Sequence, residues 1–263
     1  RTAILGPDGS VVIPSEAKES FIVSCPELWS PGHPNLYKAI TSVYSDGKLV
    51  DEKETTFGIR KAEFIDGKGF FLNGEPMKFK GVCLHHDQGP LGAAVSVPAL
   101  KHQLQILKDM GCNAIRTSHN QPAPELVQLC DEMGFMMMVE SFDEWKSGKS
   151  ENGYHKYFDD WAEKDLVGMI HAFRNNPSVM LWSTGNEMCR VKDDPEEGLA
   201  EAILLTAICH REDPTRPVTS GMHMWHRYLH KEWWNSCDVL GINYHPRKFL
   251  ELRKTVGDRL ILG

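Results

Sequence analysis

The sequence lacks any long apolar segment. A transmembrane helix needs about 20 consecutive apolar residues, and no run in this chain of 263 residues approaches that length. Residues 1–20 also lack the basic and apolar regions of a signal peptide. We therefore expect a soluble globular protein. Because the chain begins with Arg1 and not with Met, we also expect that preceding residues are missing, and the compartment stays open.

A net positive charge is absent as well. The chain has 29 basic and 36 acidic residues, which gives a net charge of −7 and a pI near 5.9. Nucleic acids and anionic membrane surfaces attract basic patches, so neither is an expected partner. The 41% hydrophobic content is enough for a large core, and the length suits one barrel-sized domain or two smaller ones.

Several redox and catalytic motifs are missing. The seven cysteines are odd in number and include no C-x-x-C pair, so we expect mostly reduced, buried small side chains. G-x-S-x-G does not occur, which removes the usual signal of a serine hydrolase. The segment GKGFFL fails the dinucleotide fingerprint G-x-G-x-x-G at its third glycine.

The first part of the chain has the pattern of antiparallel β structure. Between Tyr37 and Tyr44 the residues alternate with a period of two, and Asp46-Gly47 follows as a hairpin turn. About four strands fit before Arg60, whereas an immunoglobulin-like sandwich has about seven. We therefore expect that the beginning of a β domain is missing.

After a second hairpin signal at Asn73-Gly74, short apolar runs alternate with amphipathic helical segments. Leu100, Leu104 and Leu107, for example, lie at helical spacing. The predicted strands of this part are residues 77–83, 113–117, 135–140, 178–183, 217–220, 238–243 and 259–263. Alternating strands and helices predict a parallel sheet with crossover helices.

Seven β units without a dinucleotide fingerprint favour a (β/α)8 TIM barrel over an open doubly wound sheet. We predict this barrel, incomplete at about seven strands, for residues 61–263. Active sites of such barrels lie at the C-terminal ends of the strands. The polar residues that follow the predicted strands are His85, His86, Arg116, His119, Glu140, Asn186, Glu187, Tyr244 and His245.

Glu187 is the most informative of these residues, because the buried run SVMLWS ends shortly before it. Burial of an unpaired carboxylate is costly. A glutamate at a barrel mouth is therefore either paired structurally or kept for proton transfer. A solvated glutamate at a strand turn is the simpler alternative, and position alone favours neither.

The histidines raise the question of a metal site. His85 and His86 are adjacent, so on a strand their side chains point to opposite faces and cannot both bind one ion. His223, His226 and His230 could share one helical face, but no carboxylate cluster or H-E-x-x-H accompanies them. An aromatic surface helix is the favoured interpretation of that segment. The sequence predicts no metal and no cofactor.

Four segments of the second part carry a family resemblance: FKGVCLHHD, CNAIRTSHNQPAPELVQLCDEMGF, VESFDEW and RNNPSVMLWSTGNE. They resemble the (β/α)8 catalytic domain of glycoside hydrolase family 2, which comprises β-galactosidases, β-glucuronidases and β-mannosidases. The segment CPELWSPGHPNLYKAITSVYSDGKLVDEKETTFGIRK resembles the end of that family's central immunoglobulin-like domain. The resemblance implies that residues 1–60 are the C-terminal part of an immunoglobulin-like β-sandwich. Bacterial β-galactosidases are the most similar members, which favours a bacterial cytoplasmic or periplasmic location.

The resemblance implies roles for five residues. Glu187 would be the general acid/base, and Asn186 would hold the 2-hydroxyl of the sugar. His85 and His119 match sugar-contacting histidines. Tyr244 matches a tyrosine that donates a hydrogen bond to the nucleophile.

Four further positions match the family with alternatives left open. Arg116 and Glu140 match the floor of the site, where a structural ion pair competes with direct sugar contact. Asp143 and Trp145 are expected to line the sugar pocket, but the tryptophan could equally pack the loop. The family's galactosidases can bind Mg²⁺ through a Glu-x-His motif, which ESFDEWKSG lacks, so no metal is expected.

The resemblance also implies a retaining mechanism, in which a second carboxylate acts as nucleophile. In the family that glutamate follows a segment like RLILG, and this chain ends at Gly263. Glu251 and Asp258 precede the seventh predicted strand and cannot take the role. We therefore expect an inactive fragment of an enzyme that acts on terminal β-linked sugars. Its open barrel edges could pair in a homo-oligomer.

Two other functions stay open on the sequence alone. One is a carbohydrate-binding protein that kept the pocket without catalysis, and the other is a metal-dependent barrel hydrolase. The sugar could be galactose, glucuronic acid or mannose, with galactose favoured.

Overall fold

The computed structural model describes residues 1–188 and 196–263, and it begins with a four-stranded antiparallel sheet. Its strands, in the spatial order β2-β1-β3-β4, are β1 (Thr2–Leu5), β2 (Val11–Glu16), β3 (Tyr37–Ser45) and β4 (Lys48–Phe57). Asp46 and Gly47 connect β3 to β4 with positive φ values of 50° and 76°. This is the turn geometry that Asp-Gly favours in hairpins, and the predicted hairpin is confirmed.

A small three-stranded antiparallel sheet follows. It consists of β5 (Ala62–Ile65), β6 (Gly69–Leu72) and β7 (Glu75–Pro76). The prediction of one strand over residues 77–83 was wrong in its first half, since residues 77–80 lie in no strand. Phe79 instead packs on Phe64 and Phe70, with ring centroids 6.1 and 4.6 Å away. Phe79 therefore packs on the small sheet, and the first barrel strand begins only at Gly81.

The rest of the chain forms one sheet of seven parallel strands, with neighbours in sequence also neighbours in space. The strands are β8 (Gly81–His85), β9 (Ala114–Ser118), β10 (Met136–Glu140), β11 (Val179–Asn186), β12 (Val218–Met222), β13 (Val239–Ile242) and β14 (Ile261–Leu262). The α-helices are α1 (Val97–Asp109), α2 (Pro124–Met133), α3 (Phe158–Phe173), α4 (Leu199–Glu212) and α5 (Phe249–Val256). This confirms the predicted incomplete (β/α)8 barrel. No helix of the described residues is long and apolar enough to cross a membrane.

Two short 3-10 helices, Trp225–Leu229 and Lys231–Asn235, connect β12 to β13. The prediction of an aromatic surface helix here was wrong. Trp233 is 1% exposed and Tyr228 is fully buried, so both rings belong to the core. The aromatic residues pack the crossover against the barrel and do not cover a surface.

The central barrel strands are buried on both faces, as is usual for parallel sheets. All eight residues of β11 are buried. On β10, Met136 and Met137 are fully buried and fill the core. The strand that leads to Glu187 is therefore held rigidly along its whole length.

Trp29 and Arg60 attach the first part of the chain to the barrel. Trp29 is completely buried, and its Nε1 donates a hydrogen bond to the backbone oxygen of Asp131 at 2.9 Å. Arg60 donates to the carbonyl oxygens of Pro177 and Val179, both at 2.6 Å. Burial lowers the pKa of Arg60 to about 9. This attachment lies at the start of β11, at the opposite end of the barrel from Glu187.

We expect Trp29→Phe to lower the free energy of unfolding by about 1–2 kcal/mol, because phenylalanine keeps a ring but leaves the Asp131 carbonyl without its donor. Denaturant unfolding of the two proteins measures this difference. Trp161→Phe is the matched control, since that ring is 50% exposed. We expect its effect to stay within about 0.5 kcal/mol, and equal losses in both variants would contradict the attachment by Trp29.

All six cysteines in the described residues are free thiols. The buried ones, as predicted, are Cys130, Cys209 and Cys237. Cys25 and Cys83 are exposed, contrary to the prediction, and Cys83 faces the interior of the incomplete barrel beside Arg116. Cys189 lies outside the described residues.

Candidate active site

Glu140 forms the floor of the candidate site, at the end of β10. Its side chain is fully buried and is engaged on both carboxylate oxygens. Oε2 accepts hydrogen bonds from Arg116 Nε and Nη2 at 2.8 and 2.7 Å and from Ser183 Oγ at 2.6 Å. Oε1 lies 2.6 Å from Nδ1 of His119. Glu140 therefore holds its neighbours in place, because its oxygens are already occupied.

Arg116 connects this floor to two asparagines. Its Nη2 donates to Asn186 Oδ1 at 3.0 Å, and its Nη1 donates to Asn243 Oδ1 at 3.3 Å. Burial acts to lower the pKa of the guanidinium, but the Glu140 carboxylate outweighs burial and the pKa is raised. Of the two alternatives that the sequence left open, the contacts correspond to a structural ion pair that also orients amide groups.

Asn186, the last residue of β11, is fixed by three hydrogen bonds. Its Oδ1 accepts from Arg116 and from Asn243 Nδ2, the latter at 2.8 Å. Its Nδ2 donates to Asp143 Oδ1 at 3.0 Å. An amide nitrogen carries two protons, so one N–H is left to donate to a ligand. The side chain is thus oriented before any ligand arrives.

Glu187 is the first residue after β11, at the point where the buried strand ends. Its backbone N–H donates to the carbonyl of Gly221 at 2.7 Å, and its φ of 48° lies in the left-handed region. Its Oε1 accepts a hydrogen bond from Asn243 Nδ2 at 2.8 Å, and the side chain is 24% exposed. Such a backbone costs a non-glycine residue on the order of 1–3 kcal/mol. The surrounding contacts stabilise this conformation, which presents the carboxylate at the barrel mouth.

Tyr244 and His245 lie at the end of β13 and also have positive φ values, 61° and 42°. Strained backbone of this kind concentrates at functional sites. Tyr244 is 74% exposed, so the residue can contact a group that enters from solvent.

Asp143, on the loop after β10, belongs to the same network. Its Oδ1 accepts from Lys149 Nζ at 2.7 Å, and Lys149 also donates to the backbone oxygen of Asn186 at 2.6 Å. Burial alone would raise the pKa of Asp143, but the hydrogen bonds from Lys149 and Asn186 outweigh it and the pKa is lowered. Asp143 is therefore an anion at neutral pH, and its Oδ2 accepts no hydrogen bond from the described residues.

Trp145, two residues later, does not present its ring to the site. It is 1% exposed, and its Nε1 donates to the carbonyl of Thr184 at 2.8 Å. This placement corresponds to the loop-packing alternative. The neighbouring Glu144 accepts hydrogen bonds from the backbone N–H groups of Lys149 and His155. Trp145 and Glu144 together fix the loop that carries Lys149.

His85 and His119 face each other at the ends of β8 and β9. Their ring centroids are 5.1 Å apart and the rings are nearly perpendicular. A ring nitrogen of His86 instead lies 2.8 Å from the carbonyl oxygen of Ala93. The two adjacent histidines therefore have different surroundings. Within the part of the chain that the structure describes, no group of three or more His, Cys, Asp or Glu residues could hold a metal ion.

Three residues of the network were missed by the sequence analysis. Asn243 lies within a predicted strand, although its position directly before Tyr244 was a usable signal. Lys149 lies far along a loop, and nothing in the sequence marks it. His223, assigned to the aromatic helix, in fact follows β12, and its Nδ1 lies 3.9 Å from Glu187 Oε2.

A cavity of about 460 Å³ opens beside this network. This volume lies within the range of small-molecule sites, about 300–1,000 Å³. The site residues that line it are His85, Arg116, His119, Asn243 and Tyr244. Its other walls are the inner faces of the barrel strands, and Glu187, Asn186 and Asp143 do not line it, so the cavity is the interior of the incomplete barrel next to the network.

Comparison with known proteins gives matches over both parts of the chain. The family model described as "Glycosyl hydrolases family 2, TIM barrel domain" matches residues 64–254, and "Glycosyl hydrolases family 2" matches residues 4–60. The chain is 41% identical to "Beta-galactosidase BoGH2A" of Bacteroides ovatus, over 87% of this chain and 30% of that protein. It is 30% identical to "Beta-glucuronidase" of Bacteroides fragilis, over 82% of this chain and 33% of that protein. The chain thus spans about a third of the length of these relatives.

Solved structures have the same architecture. A glycosyl hydrolase family 2 member from Bacteroides cellulosilyticus matches with a TM-score of 0.87 at 34% identity, over 99% of this chain and 35% of that chain. A beta-glycosidase from Bacteroides vulgatus matches with a TM-score of 0.84 at 37% identity, over 99% of this chain and 33% of that chain. Because the barrel model alone matches residues 64–254, the chain belongs to glycoside hydrolase family 2.

Proposed function

We propose that this chain is the acid/base-bearing part of a retaining β-glycosidase that removes terminal sugars, of the β-galactosidase type. The observation that carries the proposal is the placement of Glu187. Its carboxylate is presented at the end of a fully buried strand, and its Oε1 is held by Asn243 at 2.8 Å. A partly exposed carboxylate can donate a proton to a bound ligand and accept one from it.

In this mechanism Glu187 acts twice. In the first step it donates its proton to the glycosidic oxygen while a nucleophilic carboxylate attacks the anomeric carbon, and the aglycone leaves. In the second step Glu187 removes a proton from water, which attacks the same carbon and releases the sugar from the nucleophile. The second N–H of Asn186 would donate to the 2-hydroxyl of the sugar, a contact that strengthens in the transition state.

We further propose that the nucleophile comes from a residue beyond Gly263. Oε2 of Glu140 is engaged by Arg116 and Ser183 and Oε1 by His119, which weakens Glu140 as a nucleophile. Asp143 is likewise engaged by Lys149. Glu251 lies on α5, before the last described strand. We therefore expect the 263-residue chain to be inactive by itself.

The charges of the site favour a neutral sugar. Arg116 is paired with Glu140 and Lys149 with Asp143, so both cations of the network are already neutralised. Asp143 Oδ2 accepts no hydrogen bond from the described residues and can accept one from a hydroxyl of a neutral sugar, whereas neither paired cation is free to bind the carboxylate of a glucuronic acid. This supports galactose or mannose over glucuronic acid.

Hydrolysis of p-nitrophenyl β-glycosides of galactose, glucuronic acid and mannose tests the proposal. The assay compares the chain extended through an eighth strand with the 263-residue chain. We expect the extended protein to cleave the galactoside fastest and the short chain to be inert. Binding of sugar without cleavage of any glycoside would favour a carbohydrate-binding protein. Stoichiometric zinc in the purified protein would favour a metal-dependent hydrolase.

Asp143→Asn is expected to lower kcat/KM for the galactoside by about 5- to 30-fold, because the acceptor of a sugar hydroxyl loses its charge while the contact to Lys149 is kept. Activity towards the glucuronide should fall less or rise, because Lys149 loses its counter-ion and becomes available to a sugar carboxylate. Kinetics on both substrates measure this change of selectivity. Asp160→Asn, at an exposed residue of α3, is the control. An equal loss on both substrates would contradict the charge argument.

A further inference from the structure

His223 is a polar residue beside Glu187 that the proposed mechanism does not use. It directly follows β12, and its Nδ1 lies 3.9 Å from Glu187 Oε2. This nitrogen is buried and has no hydrogen-bond partner among the described residues. A buried polar group without a partner is costly. The other carboxylate oxygen, Oε1, already accepts from Asn243, so each oxygen of Glu187 faces one side-chain nitrogen.

Among the described residues, four ionisable groups act most strongly on the charge of His223. Glu187 follows β11, Lys149 lies on the loop after β10, His245 follows β13, and Arg227 lies on the 3-10 helix after β12. Burial lowers the pKa of the imidazole; Glu187 opposes this, and Lys149, His245 and Arg227 lower it further. His223 is therefore neutral at neutral pH.

A neutral imidazole suits the neighbour of a catalytic acid. A positive charge about 4 Å away would strongly favour the ionised carboxylate. The acid must nevertheless carry a proton at the start of each cycle. A neutral Nδ1–H can stabilise the carboxylate with a hydrogen bond after the proton has left, without preventing reprotonation.

We propose that His223 is a positioning residue for the acid/base, donating a hydrogen bond from Nδ1–H to Oε2 of Glu187 after Glu187 has given its proton to the leaving oxygen. The inference rests on the proposed role of Glu187. The imidazole keeps its own proton throughout: one proton passes from Glu187 to the aglycone, and one passes from water back to Glu187. A small side-chain rotation closes 3.9 Å to hydrogen-bond length.

Two variants of similar size separate this role from packing. His223→Asn keeps an N–H close to the Nδ1 position, and His223→Leu removes the donor. Loss of a donor to the ionised form favours the protonated form. We expect His223→Leu, in the chain extended through an eighth strand, to shift the alkaline limb of the pH profile of kcat/KM to a pH about one unit higher. His223→Asn should keep that limb in place. Equal profiles for the two variants would overturn the proposal.

A readout that does not need turnover distinguishes failure of this inference from failure of the proposed function. The carboxyl ¹³C resonance of Glu187 in glutamate-labelled protein, assigned by its absence in Glu187→Gln, reports the titration directly. We expect its midpoint to rise in His223→Leu and to be unchanged in His223→Asn and in the exposed control His102→Leu. An unchanged midpoint in His223→Leu overturns the role of His223. A shifted midpoint in a protein that cleaves no glycoside supports the contact and contradicts the proposed function.

Discussion

Glu187→Gln is expected to lower kcat for a β-glycoside with a poor leaving group, such as a methyl β-galactoside, by about 10²- to 10⁴-fold, because glutamine cannot transfer the proton. Glutamine has the same size and keeps an oxygen that can accept the hydrogen bond of Asn243, which is 2.8 Å long in the native site. The site should therefore stay folded. Steady-state kinetics of the chain extended through an eighth strand measure the loss, and less than a tenfold loss would argue against Glu187 as the acid.

Leaving-group dependence makes this prediction specific to proton transfer. The 2,4-dinitrophenolate group leaves without protonation. Cleavage of a 2,4-dinitrophenyl glycoside should therefore be nearly unaffected in Glu187→Gln. Azide needs no general base to attack the glycosyl-enzyme, so it should restore turnover of this substrate in Glu187→Ala. Glu151→Gln, at an exposed loop residue, is the control for the substitution itself. Equal losses on both leaving groups would indicate a structural defect.

Arg116→Met is expected to lower the free energy of unfolding by about 3–5 kcal/mol, because it leaves the Glu140 carboxylate buried without its cation. Glu140 is 0% exposed and Arg116 is 12% exposed. Arg211→Met is the matched control, since that arginine is 54% exposed and pairs with surface glutamates. Exposed pairs contribute about 0–1 kcal/mol. Denaturant unfolding of both variants measures the contrast, and similar losses would contradict a buried ion pair.

A double variant separates loss of charge pairing from loss of packing. Removal of one partner leaves an uncompensated buried charge, whereas replacement of both partners by apolar groups leaves no buried charge. We expect Arg116→Met combined with Glu140→Met to be more stable than the sum of the two single changes. Strict additivity would show that the two side chains do not interact. The double variant should still lose activity, because Asn186 and Asn243 lose the guanidinium that orients them.

Much of the fold could be predicted from local sequence. The hairpin at Asp46-Gly47 follows from the ability of these residues to adopt positive φ. The buried strand β11 follows from an unbroken run of apolar and small residues. The crossover after β12 could not be predicted, because aromatic residues such as Trp233 fit a surface helix and a buried 3-10 turn equally well. Only the contacts with the core favour the buried 3-10 turn over the surface helix.

Part of the candidate site could also be predicted from the sequence. The rule that barrel chemistry lies at strand ends pointed to Arg116, Glu140, Asn186 and Glu187, and the family resemblance supplied the proposed role of Glu187. The same rule carries no information about loop residues. Lys149 enters the network because Glu144 and Trp145 fix the loop that carries it.

By itself the sequence determined the order of strands and helices, the incomplete barrel and the position of Glu187, because these depend on residue pattern along the chain. The tertiary structure decided which partners meet the carboxylate. Asn243 and His223 are 56 and 36 residues from Glu187 in sequence, and they approach its two oxygens only because β11, β12 and β13 lie side by side. The predicted barrel already makes consecutive strands neighbours, but which side chains meet at their ends depends on backbone turns and side-chain conformations that no local pattern encodes.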